Sequence, residues 1–277
     1  MYGENQNRKR QARFFVCLLF LYICVCLSAC TGKQTEKEER LDVWFFACSD
    51  DADSILLQAD GANIIIDTGL SGDSDTFIRK LKAQDVETVD LLILTHPDKD
   101  HIGGAGKLLD TFPVEQVIQT DCVKGSELQE ELEERLTEEN VLVPDDEILF
   151  SFGELQLTVY PPREAEYENS NNYSIAVLAE YEDRRFFFAG DAKRKRIEEL
   201  LSEGLPEVDV YKTAHHGRDN GRSAELIRRL SPEIAVVTAK EPEEENAQAF
   251  SETGTIVYST YKSDVHFTVK DGILDVE

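Results

Sequence analysis

A group of metal-binding side chains directly after an apolar segment constrains this chain more than any other feature. Residues 91–94 read Leu-Leu-Ile-Leu, and residues 95–101 read Thr-His-Pro-Asp-Lys-Asp-His. A fully apolar run of this kind is typical of a strand that is covered on both faces of its sheet. Imidazole and carboxylate groups at the end of such a strand are suited to a divalent metal ion. The segment therefore predicts an α/β fold with a metal site, and a metal-dependent hydrolase.

Three more loops carry candidate ligands, and each follows an apolar or β-branched segment. They contain Asp67, Asp191 and the adjacent pair His215 and His216. A hydrolytic metal needs rigidly held ligands and one position that stays open to water. The chain has only five histidines, and only His266 lies outside these motifs. We predict a structural role for His266 and a shared metal site for the four loops.

The first 29 residues are predicted to be a lipoprotein signal peptide. Basic residues precede an apolar stretch at 14–27, which is shorter than the roughly 20 residues of a membrane-spanning helix. The stretch ends in Leu27-Ser28-Ala29-Cys30, which resembles a bacterial lipobox. We therefore expect cleavage and lipidation at Cys30, with the protein anchored to the outer face of the bacterial cell membrane. A plain secreted protein and an uncleaved anchor are the alternatives.

The polar segment 30–40 has no apolar period and is expected to be a flexible tether. The segment 41–277 is long enough for one domain with a substantial core. Four basic residues and one acidic residue precede Cys30, so the chain from Cys30 carries 29 − 4 = 25 basic and 55 − 1 = 54 acidic residues, a net charge of −29. This charge disfavours a broad nucleic-acid-binding surface. It does not exclude a phosphate substrate, because bound metal ions reverse the field locally.

The order of predicted elements indicates two sheets that pack face to face with helices outside. Meandering strands are followed by alternating strands and helices, and this succession occurs twice. The predicted helices lie at residues 76–83, 102–110, 127–139, 193–201 and 224–230. Cys48 and Cys122 either form a disulfide or remain as two buried thiols.

Together, these motifs resemble the metallo-β-lactamase family. Its first motif is usually His-x-His-x-Asp-His, and here Asp98 replaces the second histidine. That replacement is similar to the branch related to the hydrolase domain of ComEC, the DNA-uptake channel protein. Asn-Asn-x-Ser at 171–174, Gly-Asp at 190–191 and His-His-Gly at 215–217 also resemble this branch. The resemblance spans roughly residues 41–272 and implies a four-layer αββα sandwich.

The resemblance also implies two divalent metal ions, either Zn²⁺ or Mn²⁺. The implied ligands are His96, Asp98, Asp100, His101, Asp191, His215 and His216. The first two would hold one ion, the next two would hold the other, and Asp191 would bridge them. One histidine of the adjacent pair would complete the second site, and the other would face a substrate phosphate.

Further roles follow from the same resemblance. Catalysis would rest on Asp98, Asp100 and His216, with a hydroxide shared by the two metals as the nucleophile. Asp67 and Asn172 would orient the ligands from behind, although each is also an ordinary turn residue. The resemblance implies a phosphodiesterase or nuclease, with single-stranded DNA as a candidate substrate.

Two alternatives to that function remain. A cell-wall phosphodiester, such as a choline or teichoic-acid ester, would suit a lipoprotein with an acidic surface. A retired hydrolase that only binds at the cell surface would explain why no histidine lies between residues 102 and 214.

Overall fold

The structure, a computed structural model, describes residues 39–137 and 139–277. The strands of this part are β1 (Leu41–Phe45), β2 (Ser54–Ala59), β3 (Ala62–Thr68), β4 (Val89–Ile93), β5 (Val114–Ile118), β6 (Val141–Leu142), β7 (Ile148–Phe152), β8 (Leu155–Tyr160), β9 (Ala176–Tyr181), β10 (Arg184–Phe188), β11 (Val210–Lys212), β12 (Ile234–Val237), β13 (Ile256–Ser259), β14 (Val265–Lys270) and β15 (Ile273–Val276). The α-helices are α1 (Ser74–Ala83), α2 (Lys99–Ile102), α3 (Ala105–Thr111), α4 (Glu127–Glu133), α5 (Arg194–Ser202), α6 (Ser223–Leu230) and α7 (Glu244–Thr253). Short 3₁₀ turns lie at Ser71–Asp73, Ser170–Tyr173 and Ala214–Gly217.

The strands form two mixed sheets. The first has eight strands in the order β15-β14-β1-β2-β3-β4-β5-β6, and the second has seven in the order β13-β12-β11-β10-β9-β8-β7. Strands β3 to β6 are mutually parallel, and so are β10 to β13. Parallel neighbours end at the same edge of their sheet, where ligand-binding loops concentrate. Each sheet therefore gathers several loops at one edge.

Three apolar layers hold the sandwich together. In the layer between the sheets, Phe45 stacks on Phe188 and meets Phe267 edge to face. Leu81 of α1 lies in the layer on the outer face of the first sheet. Ile227 of α6 lies in the equivalent layer on the second sheet. Because both faces of each sheet are covered, their central strands are almost wholly buried. The predicted four-layer αββα sandwich is confirmed.

Several predicted helix bounds were wrong. The helix expected at 127–139 ends at Glu133, and the helix expected at 102–110 is divided between α2 and α3. A Cβ atom at Gly103 would lie 2.4 Å from Ser71 N, and one at Gly104 would lie 2.5 Å from Thr68 O. The two glycines thus let the backbone after the histidine motif approach its neighbours closely. The prediction also missed β6, α7 and β15, because these elements bury few apolar residues and show little periodicity.

The membrane-related predictions fall mostly outside this structure. The predicted signal peptide, Cys30 and most of the tether lie outside the described residues. Within residues 39–137 and 139–277, no helix is long and apolar enough to cross a membrane. Cys48 and Cys122 are both free thiols, so the alternative of a disulfide was wrong; Cys122 is buried as the other alternative predicted, whereas Cys48 is only partly buried.

Candidate metal centre

Four of the predicted ligands converge where the two sheets present their strand ends. Asp100 and His101 lie on α2 after β4, Asp191 follows β10, and His216 lies in the turn after β11. One ligand atom from each of these residues lies within 4.8 Å of the ligand atoms of the other three. We call these four residues the four-ligand cluster. All but Asp100 are buried.

Asp191 is at the centre of the four-ligand cluster because its two oxygens face different partners. Asp191 Oδ1 is 3.2 Å from His101 Nε2, and Oδ2 is 3.3 Å from His216 Nε2. His216 Nε2 is also 3.2 Å from Asp100 Oδ2. The chain thus brings groups from residues 100 to 216 around one shared carboxylate.

Two of the other three predicted ligands, His96 and Asp98, form a looser group that we call the His96–Asp98 pair. His96 Nε2 is 4.0 Å from Asp98 Oδ1 and 3.9 Å from Asp191 Oδ2. The same Asp98 oxygen is 2.8 Å from Lys124 Nζ. Asp191 therefore lies between this pair and the rest of the centre, as the predicted bridging role requires.

Left-handed backbone conformations separate the two adjacent histidines. His215 has φ 49° and His216 has φ 57°, values that are uncommon outside glycine and concentrate at functional sites. His216 points into the four-ligand cluster. His215 Nδ1 contacts Asn220 Oδ1 at 2.8 Å, and its Nε2 is 3.9 Å from Asp191 Oδ2. His216 is thus the member of the pair that joins the cluster, and His215 borders it.

Asp67 lies directly behind the four-ligand cluster. Its carboxylate accepts hydrogen bonds from Thr95 N at 2.8 Å and Thr95 Oγ1 at 2.7 Å. Asp67 Oδ2 is also 2.7 Å from His101 Nδ1. A carboxylate on one ring nitrogen orients the imidazole, so His101 Nε2 is directed at Asp191.

A second buried group, formed by Asp53, Lys212 and Thr238, supports the four-ligand cluster, and no sequence motif predicted it. Thr238 Oγ1 donates to Asp53 Oδ1 at 2.7 Å and is 2.9 Å from His216 Nδ1. Lys212 forms a buried ion pair with Asp53, and its Nζ donates to Gly190 O at 3.1 Å. The signal for Lys212 was a charged residue at the end of an apolar strand. Thr238 follows the next strand of the same sheet, so it lies at the same edge.

The paired asparagines divide their contacts differently from the prediction. Asn171 Nδ2 donates to Asp191 Oδ2 at 3.2 Å, whereas Asn172 Oδ1 accepts from Arg196 N at 3.3 Å. Successive residues of a 3₁₀ turn point in different directions. The contact expected of Asn172 therefore belongs to Asn171, and Asn172 instead binds the first turn of α5. His266, predicted to be structural, stacks on Trp44 with ring centroids 3.7 Å apart.

The protonation equilibria of the centre reflect its buried carboxylates. Burial disfavours a charged imidazole, but Asp191 and its neighbours raise the pKa of His216 to about 10 and that of His101 well above its ordinary value. Burial raises the pKa of Asp191, but His216 and His101 outweigh it and hold that pKa well below its usual range. Burial and the charge of His101 lower the pKa of His96 to about 4. The metal-free centre thus holds protons that a metal ion would replace.

The donor atoms of this centre fit metal ions. His96 Nε2, His101 Nε2 and Asp191 Oδ1 are buried without a hydrogen bond of good geometry, even though the last two are only 3.2 Å apart. A buried polar atom without a partner costs free energy, and two divalent cations that share Asp191 would satisfy all three. Imidazole and carboxylate ligands suit Zn²⁺ and Mn²⁺. The buried histidines and aspartates are consistent with a binuclear metal site.

A four-layer αββα sandwich with histidine and aspartate ligands at its strand ends defines a metal-binding protein of the metallo-β-lactamase fold. Residues 50–239 match the model of the Metallo-beta-lactamase superfamily. The chain belongs to this superfamily.

Two relatives have similar sequences. The chain is 28% identical over 163 residues to ComE operon protein 3 of Bacillus subtilis (strain 168), covering 57% of this chain and 21% of the relative. It is 23% identical over 237 residues to Recombination protein 2 of Haemophilus influenzae, covering 80% of this chain and 26% of the relative. The chain thus matches about a quarter or less of each relative's length. Both matches agree with the expected relation to the ComEC-related branch.

Solved structures share the fold. The metallo-β-lactamase fold protein YhfI of Bacillus subtilis superposes with a TM-score of 0.57 at 12% identity, over 87% of this chain and all of YhfI (100%). A putative metal-dependent hydrolase from Parabacteroides distasonis superposes with a TM-score of 0.51 at 16% identity, over 80% of this chain and 93% of that protein. At these identities the likeness concerns the fold alone.

Proposed function

We propose that this protein is a metal-dependent hydrolase that cleaves phosphodiester bonds. The observation that carries the proposal is the four-ligand cluster around the carboxylate of Asp191, in which His101 Nε2 and Asp191 Oδ1 are buried ligand atoms that lack hydrogen bonds. Such atoms weigh against a purely structural or metal-free role, because the protein would bury unpaired polar groups without benefit.

The protein's own residues divide the work at this centre. Bound divalent ions would act as Lewis acids and would lower the pKa of a bound water molecule to near neutrality. Asp100, His101 and His216 would hold one ion, His96 and Asp98 would contribute to the other, and Asp191 would serve both. Behind them, Asp67 orients the imidazole of His101. Thr238 orients the imidazole of His216.

The preference for a phosphodiester over a β-lactam rests on the ligand set. Asp98 stands where the broad family usually has a histidine, and additional carboxylates make the site harder and better suited to Mn²⁺ as well as Zn²⁺. One relative is named a recombination protein, which favours DNA among possible phosphodiesters. The net charge of −26 disfavours an extended nucleic-acid surface. We therefore propose a short segment of single-stranded DNA, or a small phosphodiester, as the substrate.

We also propose that the enzyme acts outside the cytoplasmic membrane, anchored by a lipid at Cys30. The support is the sequence Leu27-Ser28-Ala29-Cys30 at the end of an apolar stretch. Labelling of expressing bacteria with radioactive palmitate, followed by membrane fractionation, tests this. Wild-type protein should carry label in the membrane fraction, and the Cys30→Ser variant should carry none. Equal label in both would exclude lipidation at Cys30.

The activity is tested on purified protein reconstituted with Mn²⁺ or Zn²⁺. Bis(p-nitrophenyl) phosphate, single-stranded DNA and a choline-substituted teichoic acid are compared as substrates, with metal content measured in parallel. Turnover of the first two supports the proposal, and faster turnover of teichoic acid would favour the cell-wall esterase. Two bound metal equivalents without turnover of any phosphodiester would refute the proposal.

A further inference from the structure

One ammonium group lies against the His96–Asp98 pair of the metal centre. Lys124 Nζ is 2.8 Å from Asp98 Oδ1, and the two side chains are 41% and 19% exposed. This is the same oxygen that faces His96 Nε2 at 4.0 Å. The lysine therefore occupies the carboxylate oxygen that a metal ion between His96 and Asp98 would need.

The backbone of Lys124 is fixed while its side chain is partly exposed. The buried side chain of Gln129 on α4 accepts hydrogen bonds from Lys124 N at 2.8 Å and Gly125 N at 3.3 Å. Gln129 Nε2 donates to Cys122 O at 2.8 Å. Three contacts from one glutamine thus hold this loop against α4. The lysine side chain can then change partner without moving the loop.

A cavity adjoins this loop and has an acidic lining. Its volume is about 630 Å³, and Val123 and Gly125, which flank Lys124, are among its lining residues. The charged side chains that line it are all acidic: Asp121, Glu130, Glu133 and Glu134. An anionic substrate entering from this side would be repelled by these carboxylates. The ammonium of Lys124, which extends from this loop to Asp98, is the positive charge that would offset these carboxylates.

We propose that Lys124 changes partner as the metal centre fills. In the metal-free protein the ammonium holds Asp98, and once a metal takes that carboxylate the ammonium binds the phosphate group of the substrate. Partly exposed ion pairs are weak, so a metal can displace the lysine readily. A lysine is also a common point-charge ligand for phosphate. The phosphate step rests on the proposed function, whereas the displacement step concerns metal binding alone.

The test compares wild-type protein with Lys124→Met and Lys124→Arg. Isothermal titration of metal-free protein with Mn²⁺ should show the weaker equivalent binding about two- to fivefold more tightly in Lys124→Met, because an exposed pair contributes little. Titration of the metal-loaded proteins with inorganic phosphate should show binding at least about fivefold weaker in Lys124→Met. Lys124→Arg should keep most of the phosphate affinity. Lys107→Met is the matched control, since Lys107, on the outer helix α3, is similarly exposed and pairs with Asp75 of α1.

Each arm can overturn the inference. Unchanged Mn²⁺ affinity in Lys124→Met would show that the lysine does not compete for Asp98. Unchanged phosphate affinity would show that it does not meet the anion. Neither arm measures turnover, so an inactive wild-type protein with both expected shifts would refute the proposed function and leave the partner change of Lys124 standing.

Discussion

The two halves of the metal centre differ in how firmly the protein holds them. In the four-ligand cluster the imidazoles of His101 and His216 each have a buried partner on the ring nitrogen that faces away from Asp191. In the His96–Asp98 pair, His96 Nδ1 also has a buried partner, Thr95 Oγ1 at 3.2 Å, but the carboxylate of Asp98 is shared with a lysine from a loop.

The contrast indicates that the two sites have different affinities. A preorganised ligand set binds a metal without first reordering its side chains, so the four-ligand cluster should fill first. The His96–Asp98 pair contributes fewer ligands and must first release Lys124. Variants that remove one ligand or one supporting residue test this difference in affinity. The protein is loaded with Mn²⁺ unless metal-free protein is named.

Removal of the shared carboxylate should disable both halves. Asp191→Ala is expected to lose both bound metal equivalents and to reduce phosphodiester turnover by on the order of 10³ or more, because metal ions supply several kcal/mol of transition-state stabilisation. Elemental analysis after gel filtration and a bis(p-nitrophenyl) phosphate assay measure the two effects. Asp75→Ala, on an exposed acid of α1, is the control. Retention of two equivalents would show that Asp191 is not shared.

Loss of the buried lysine beneath the four-ligand cluster should destabilise the fold. Lys212→Met removes the lysine that pairs with buried Asp53, which keeps only His216 at 3.3 Å and His101 at 3.7 Å as ion-pair partners, at a cost of up to about 3–5 kcal/mol in the free energy of unfolding. Urea denaturation of metal-free protein measures this cost. The double variant Asp53→Asn/Lys212→Met removes both charges and should recover part of the loss. A change below about 1 kcal/mol in the single variant would mean that water replaces the lysine.

Removing the charge of Asp67, which orients the imidazole of His101, should weaken metal binding at the four-ligand cluster alone. Asp67→Asn should lower the affinity of the tighter equivalent by about 10- to 100-fold, the usual effect of losing a carboxylate behind a metal-binding histidine. The weaker equivalent should change little. Asp42→Asn is the matched control, because Asp42 contacts His266 at 2.9 Å outside the centre. An equal loss at both equivalents in Asp67→Asn would contradict the asymmetry.

The two halves should also respond differently to pH. The raised pKa values of His216, about 10, and of His101 mean that both imidazoles are protonated near neutral pH and must lose those protons to bind a metal. Affinity at the four-ligand cluster should therefore fall as pH falls from 8 to 6, about tenfold per pH unit for each proton displaced.

The His96–Asp98 pair should be nearly insensitive in the same range. Burial and the charge of His101 lower the pKa of His96 to about 4, so this imidazole is already neutral. Calorimetry in buffers of different ionisation enthalpy counts the protons released at each equivalent. Proton release from the weaker equivalent alone would reverse this assignment.

The fold was predictable where the sequence pattern is strong. The apolar strands and the helices with a clear amphipathic period follow from side-chain chemistry, and their layering follows from covering each sheet on both faces. The bounds near Gly103 and the helix Glu244–Thr253 were not predictable. The close approach of the backbone at Gly103 has no effect on hydrophobic periodicity. The helix Glu244–Thr253 buries few apolar residues, so its periodicity is weak.

By itself, the sequence determined which loops carry the metal ligands, because His96, Asp100, His101 and Asp191 directly follow apolar strands or begin the helix after one. Only the tertiary structure decided that His216 rather than His215 joins the cluster, since two left-handed residues set the directions of the rings. It also decided that Asp53 and Thr238, 185 positions apart, meet behind that ring. Contacts of that range depend on how two sheets pack, and no local pattern encodes them.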